Sequence, residues 1–313
     1  MWHDFILSLG REQIHGAGED AHAFSIENNA GTIGVFDGLG GSGARKYTNY
    51  NDHSGAYMAS RAVAGAFRDW STSLLACEGV DDSDLKKRIT ANLQYIKDNA
   101  DETERSFIKG SISREFPTTA AMAVVIPRGE RYSVDYIWAG DSRGYLLTEQ
   151  GLIQITSDDV EKTDIRSSMS ADVPMTNVIS LSHPWYLTNE VIHEQTAGIV
   201  ITATDGCFGY WRSPMDFEYQ LVNTFLESDS FFDWEKRLDD AIQSVTGDDF
   251  TLCALAFGFK SIANMKESFK ARRNYLKEVY IEPMDKLNPE DSEDYERILD
   301  MWEKYSETYL WKK

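Results

Sequence analysis

Cysteine is scarce, with Cys77, Cys207 and Cys253 the only three in 313 residues. They lie far apart and form no C-x-x-C pair, which speaks against a disulfide framework or a structural zinc site and for a reducing compartment. Proline (7) and glycine (22) are few, and 42% hydrophobic with 26% charged residues excludes collagen-like, low-complexity and wholly disordered chains. No apolar run approaches the roughly 18 residues that a membrane span requires. The opening residues, Met1 to Leu7, lack a basic flank and carry Asp4, a poor signal peptide. A soluble, cytoplasmic protein is expected. Basic residues are the other shortage. Lys and Arg number 31 against 51 Asp and Glu, a net charge of −20 and a pI near 4.7. Such a surface repels phosphate backbones and anionic lipid, so neither nucleic acid nor membrane is an expected partner. It also poses the question of whether bound cations hold some of these carboxylates together.

The length suits one large core with a small appended unit, and a monomer is favoured. Short apolar stretches at Phe5–Leu9, Ala23–Glu27 and Thr32–Phe36 read as strands. Tyr57, Ala64, Phe67, Leu74 and Leu75 recur at near-helical spacing, and a second helix starts after Asp82 or Ser83 and runs towards Ile108. Strands return at Ala121–Ile126, Tyr132–Trp138, Gly144–Thr148 and Leu152–Thr156. Residues 157–190 are polar and irregular, a loop or small excursion. Gly198–Ala203 is a buried strand, helices follow near 214–228 and 231–245, and Thr251–Phe257 closes the core. From about 260 onward two helical stripes appear, one from Ile262 to Tyr280 and one from Ile298 to Tyr309. Pro283 and Pro289 separate them, with Asn288–Pro289 as a cap-and-first-turn signal. Strand runs with helices grouped between them predict an α+β fold with largely antiparallel sheet. There is no internal repeat.

Acidic residues cluster where strands begin or end: Glu19–Asp20, Asp37–Gly38, Asp141, Asp205–Gly206 and Asp248–Asp249. A single Asp-Gly has a plain reading as a turn pair, because Asp bonds its own backbone and Gly accepts positive φ. The repeated placement suggests instead that the acids meet at one edge of the sheets, where cations would offset their repulsion. Carboxylates, a carbonyl and water, with no histidine within the clusters, suit Mg²⁺ or Mn²⁺ better than Zn²⁺. Two such ions about 3.5–4 Å apart make an effective phosphoryl-transfer site.

Six motifs then occur in order: Glu19-Asp20-Ala21, Val35-Phe36-Asp37-Gly38-x-Gly40-Gly41, Thr118-Thr119-Ala120, Gly140-Asp141-Ser142-Arg143-Gly144, Ala203-Thr204-Asp205-Gly206 and Asp248-Asp249-x-Thr251. Across roughly residues 5–257 the chain resembles the metal-dependent serine/threonine protein phosphatases of type 2C, in particular their bacterial members. The resemblance implies a four-layer αββα fold, an antiparallel β-sandwich flanked by helix pairs. It implies a catalytic domain over residues 1–258, with 157–190 as a flap beside the active site; the two apolar stripes beyond it read as a C-terminal helical extension over 259–313, packed on the core. The implied activity is hydrolysis of phosphoserine or phosphothreonine in a protein substrate, by attack of a water bridging two Mg²⁺ or Mn²⁺ ions.

In that family's terms Asp37 bridges both metals, and the Gly38 carbonyl and Glu19 serve one ion. Asp205 and Asp248 serve the other. Asp20 orients the attacking water, and Asp141 contributes to a third, weaker metal site. Three positions depart from the pattern. His15 stands where an arginine usually grips substrate phosphate, with Arg11 as the nearby substitute. Leu39 stands where many animal members have a general-acid histidine, and Asp249 replaces an asparagine, adding charge beside Asp248. These departures keep a second reading open: a phosphatase-like module that binds phosphorylated partners without turnover. Of the other candidates, His22 reads as a strand-surface or packing residue and not as an acid catalyst, and His183 and His193, in or beside the flap, lack ligand spacing. Cys207 reads as a small buried hydrophobe and Arg143 as an ion pair supporting its turn. Gly40, Gly41 and Gly43 lack the Walker Lys-Ser/Thr ending and read as backbone clearance. Trp302 and Tyr305 read as packing.

Overall fold

A computed structural model describes residues 5–27, 29–74, 80–101, 114–161 and 174–312. Cys77, the helical stretch expected up to Ile108 and the centre of the 157–190 excursion fall wholly or partly outside these residues. Two five-stranded antiparallel sheets form the centre. One has the order β1 (Ile6–Arg11), β12 (Phe250–Phe257), β11 (Gly198–Ala203), β8 (Arg143–Thr148), β9 (Gly151–Gln154). The other has the order β10 (Thr188–Gln195), β7 (Arg131–Ala139), β6 (Ala120–Arg128), β3 (Ala30–Phe36), β2 (Ala21–Glu27). A two-residue hairpin, β4 (Lys46–Tyr47) with β5 (His53–Ser54), precedes the first long helix.

Strand alternation builds the layers, because successive side chains point to opposite faces. Along β6, Ala121, Ala123 and Val125 face the other sheet, while Ala120, Met122, Val124 and Ile126 face α2 (Gly55–Thr72) and α3 (Asp82–Asn99). Along β12, Cys253, Leu255 and Phe257 enter the space between the sheets. Leu252, Ala254 and Ala256 pack instead against α5 (Pro214–Glu227), α6 (Phe231–Gln243) and α7 (Ile262–Leu276). The result is the four-layer αββα arrangement. Short α1 (Gly40–Gly43) and α4 (Asp205–Phe208) sit at the strand ends.

Three local expectations need correction. The first C-terminal helix does not stop before Pro283: α7 passes through a π-turn at Lys277–Ile281 into α8 (Glu282–Met284), and this local widening lets the chain carry a proline without ending the helix. The second is α9 (Ser292–Tyr309), capped by Asp291, whose carboxylate accepts from Glu293 N–H and Asp294 N–H at 2.9 and 3.1 Å, so Asn288 is not its cap. Finally, residues 188–195 form an edge strand, β10, although they read as loop in part. Its register breaks between Ile192 and Gln195, with Glu194 at φ 61°, so no clean alternation survives in the sequence.

Both C-terminal helices bury side chains in the core beneath the first sheet: Met265, Phe269 and Leu276 from one, Trp302, Tyr305 and Tyr309 from the other. A buried polar knot pins them. The Glu218 carboxylate on α5 accepts from Arg272 Nε and Nη2, both at 2.7 Å, from the Tyr305 hydroxyl at 2.5 Å and from Leu152 N–H at 3.0 Å. Leu310 then pairs in parallel with Gln154, covering the β9 edge.

Candidate active site

Antiparallel register decides where the acids go. Ala21 at the start of β2 lies opposite Phe36 at the end of β3, and Val35 lies opposite Ala121 at the start of β6. Ala120 in turn faces Ala139 at the end of β7. In the other sheet Arg143 at the start of β8 lies opposite Ala203 at the end of β11, which lies opposite Leu252 near the start of β12. Every acidic cluster therefore hangs from the same end of the sandwich. Glu19, Asp37, Gly38, Asp205, Asp248 and Asp249 line one cleft of about 830 Å³, together with Leu39, Gly40, Gly41, Ser42, Arg114, Pro174, Met175 and Val178. A second cavity of about 720 Å³, walled by Trp138, Phe208, Trp211 and Trp302, is lined by none of the acids from the motifs.

Glu19 is held from the first turn of α2. The Ser54 hydroxyl donates to Glu19 Oε1 while accepting the Tyr57 N–H at 3.0 Å, so one residue caps the helix and fixes the acid. Arg61 lies over the Tyr57 ring at 3.4 Å and donates to the Glu19 and Gly18 carbonyls at 3.3 and 3.1 Å. Asp20 is half-buried and outside the cleft lining, and its Oδ2 accepts from the Thr204 hydroxyl at 2.9 Å. Thr204 also accepts the Thr251 N–H at 2.9 Å, tying the end of β11 to the start of β12. The Asp37 carbonyl accepts from Thr119 N–H and from the Thr118 hydroxyl, both at 2.8 Å. A Cβ on Gly38 would stand 2.6 Å from the Ala56 carbonyl oxygen, and one on Gly40 would collide with the Glu19 carboxylate, so both positions need glycine for clearance.

The electrostatics are those of crowded acids. Burial, then the charges of Asp20, Asp205 and Asp141, hold Asp37 well above the usual carboxylate range. Burial pushes Asp20 up to about 7 against the two threonine hydroxyls. It pushes Asp141 up to about 7 as well, with Asp205 adding to the effect. Asp141 Oδ1 is sealed from water and has no hydrogen-bond partner among the described residues. An orphaned buried carboxylate oxygen beside an all-oxygen set of acids fits hard divalent cations. Among the described residues no three acids, histidines or cysteines are drawn close enough to hold an ion by themselves; Mg²⁺ sites commonly use one or two carboxylates and keep their waters.

The two residues expected at the substrate phosphate stand apart from the acids. The His15 side chain is fully exposed, its nearest acid Glu12 at 3.8 Å, and Arg11 is paired to Asp239 of α6; neither lines the cleft. Asp249 has a structural task that the sequence did not signal. Its carboxylate accepts Gln13 N–H at 2.8 Å and Glu19 N–H at 3.0 Å, stapling both ends of the β1–β2 loop. Arg143 is in an ion pair, though not a local one: its partner is Asp158, 15 positions away, at 2.7 Å. His22, His183 and His193 are exposed and none lines the cleft. Arg61 and four other contributors went unassigned in the sequence. Thr204 and Thr251 lay inside the motifs without a role, Ser54 carried only a helix-cap signal, and Arg114 carried none.

No protein-family model and no curated protein matches the sequence. Solved structures match. The chain aligns with the serine/threonine phosphatase Stp1 from Staphylococcus aureus at TM-score 0.58 and 15% identity, over 82% of this chain and 95% of that one. The Mycobacterium tuberculosis serine/threonine phosphatase PstP/Ppp aligns at TM-score 0.56 and 14% identity, over 81% and 98%. The PstP catalytic domain in complex with two manganese ions aligns at TM-score 0.51 and 15% identity, over 80% and 97%. This chain has the fold of those phosphatases.

Proposed function

We propose that the protein is a Mg²⁺- or Mn²⁺-dependent phosphatase acting on phosphoserine or phosphothreonine in protein substrates. One observation carries the reading: acids from separate strand ends line a single cleft. Bound divalent ions would supply an acidified water and neutralise charge on the phosphate oxygens. Asp37 would hold both ions, Gly38 O and Glu19 one of them, Asp205 and Asp248 the other, and Asp141 a third. Asp20, fixed by Thr204, would orient the attacking water and take up its proton. Ser54 and Arg61 keep Glu19 in place. Residues 1–258 would form the catalytic unit and 259–313 an extension that completes its core.

The test is release of phosphate from p-nitrophenyl phosphate and a phosphothreonine peptide with added Mn²⁺. Turnover is expected, and it should disappear in an Asp37→Asn plus Asp205→Asn variant and on chelation. Wild-type release no higher than that of the double variant would refute the proposal. Leu39 in the lining, where no proton can be given to the leaving alcohol, favours the alternative of a binding module without turnover. Tight calorimetric binding of the intact phosphopeptide with no product would select that alternative.

A further inference from the structure

The cleft is lined by five carboxylates, those of Glu19, Asp37, Asp205, Asp248 and Asp249, and among its described lining residues Arg114 is the one cation. Arg45, just after α1, lies over the Tyr47 ring at 5.3 Å and does not line the cleft, and four other arginines near these elements are committed. Arg143 is bidentate to Asp158, Arg61 holds backbone carbonyls, Arg212 bridges Asp216 and Asp285, and Arg11 is paired to Asp239. The Arg114 guanidinium has no ion pair or hydrogen bond among the described residues, yet its backbone is firmly mounted. Arg114 N–H donates to Ser42 O of α1 at 3.1 Å. The next residue is fixed twice: Glu115 N–H donates to the Ser182 hydroxyl, and Leu181 N–H to the Glu115 carbonyl, both at 3.0 Å.

We infer that Arg114 grips the substrate phosphate in this chain, taking the role for which His15 and Arg11 are misplaced. The inference rests on the phosphatase reading above. A phosphate dianion entering between these acids needs positive charge at the lip as well as cations at the floor. A guanidinium supplies that charge as a planar fork that can bind two phosphate oxygens at once. The side chain comes from the segment between α3 and β6, not from the β1–β2 region, so the chemistry is kept while its place in the chain has moved.

The 313-residue chain with Mn²⁺ provides the test. Arg114→Ala and Arg114→Gln should raise KM for p-nitrophenyl phosphate, and Ki for inorganic phosphate, by about tenfold or more, with kcat changed far less. Arg114→Lys should recover part of the loss, since a point charge attracts without the fork. His15→Ala and Arg11→Ala should leave both constants within about twofold. A readout independent of turnover is phenylglyoxal labelling of Arg114, followed by mass spectrometry, which inorganic phosphate should suppress. Unchanged KM and Ki in both Arg114 variants, or a tenfold rise in His15→Ala, would overturn the inference. Absence of wild-type turnover would refute the phosphatase reading alone. Protection of Arg114 by phosphate would then still support the inference, and lack of protection would overturn it.

Discussion

Asp249 shows how one side chain can carry two meanings. From the sequence it is an extra negative charge beside Asp248. In the structure both its oxygens accept backbone N–H groups of the β1–β2 loop. An asparagine has one carbonyl oxygen and would turn its NH₂ towards one of those donors. Asp249→Asn should therefore destabilise the fold by about 1–3 kcal/mol, read as a lower urea midpoint at unchanged m-value. An unchanged or higher midpoint would contradict the stapling role. Cysteine chemistry is settled at the same scale. Cys207 is buried with its thiol donating to the Thr251 carbonyl at 3.2 Å, and burial pushes the Cys253 thiol up to about 12. Thiolate is the reactive form, so neither residue should carry an iodoacetamide label in the native protein at pH 8, whereas both should after unfolding in urea. Cleft residues were unequally legible. Asp37 and Asp205 follow apolar strands and stand out, whereas Arg114 sits in no pattern, since only the fold carries its segment to α1.

Elements were legible where period and termini agreed. β11 spans Gly198–Ala203 as read, and α5 and α6 end within two residues of expectation. The misses came where a local signal was overruled. Pro283 lies in a helix that widens into a π-turn before it, and β10 is interrupted by a bulge that erases its alternation. The C-terminal helices announced their apolar stripes but not their anchor, because Glu218 and Arg272 are 54 positions apart. Glu218 is fully buried and Arg272 nearly so. Removing one partner strands the other's charge, so Glu218→Ala should cost about 3–5 kcal/mol. Thermal unfolding should show the loss, and limited proteolysis should begin after residue 258. A loss under 1 kcal/mol would mean that the apolar contacts alone hold the extension.

At the scale of the whole molecule, a chain of net charge −20 gathers five acids in one cleft at one end of the sandwich. Cations that bind the folded chain alone stabilise it by mass action, by about 2.7 kcal/mol at a concentration 100 times Kd. Mn²⁺ should thus raise Tm by several degrees. EDTA should reverse the shift, the Asp37→Asn plus Asp205→Asn variant should lack it, and His15→Ala should keep it. An equal shift in the double variant would place the bound ions elsewhere.

Strands, helices and the acids at strand ends are written in the sequence itself, because side-chain period, turn chemistry and apolar stripes act over a few residues. The tertiary structure alone decided which end of the sandwich the acids share and which cation stands among them. It also decided that Asp249 fastens a loop and that Glu218 anchors the final helices. These depend on register and packing between segments up to 236 positions apart, a distance over which no local pattern carries information.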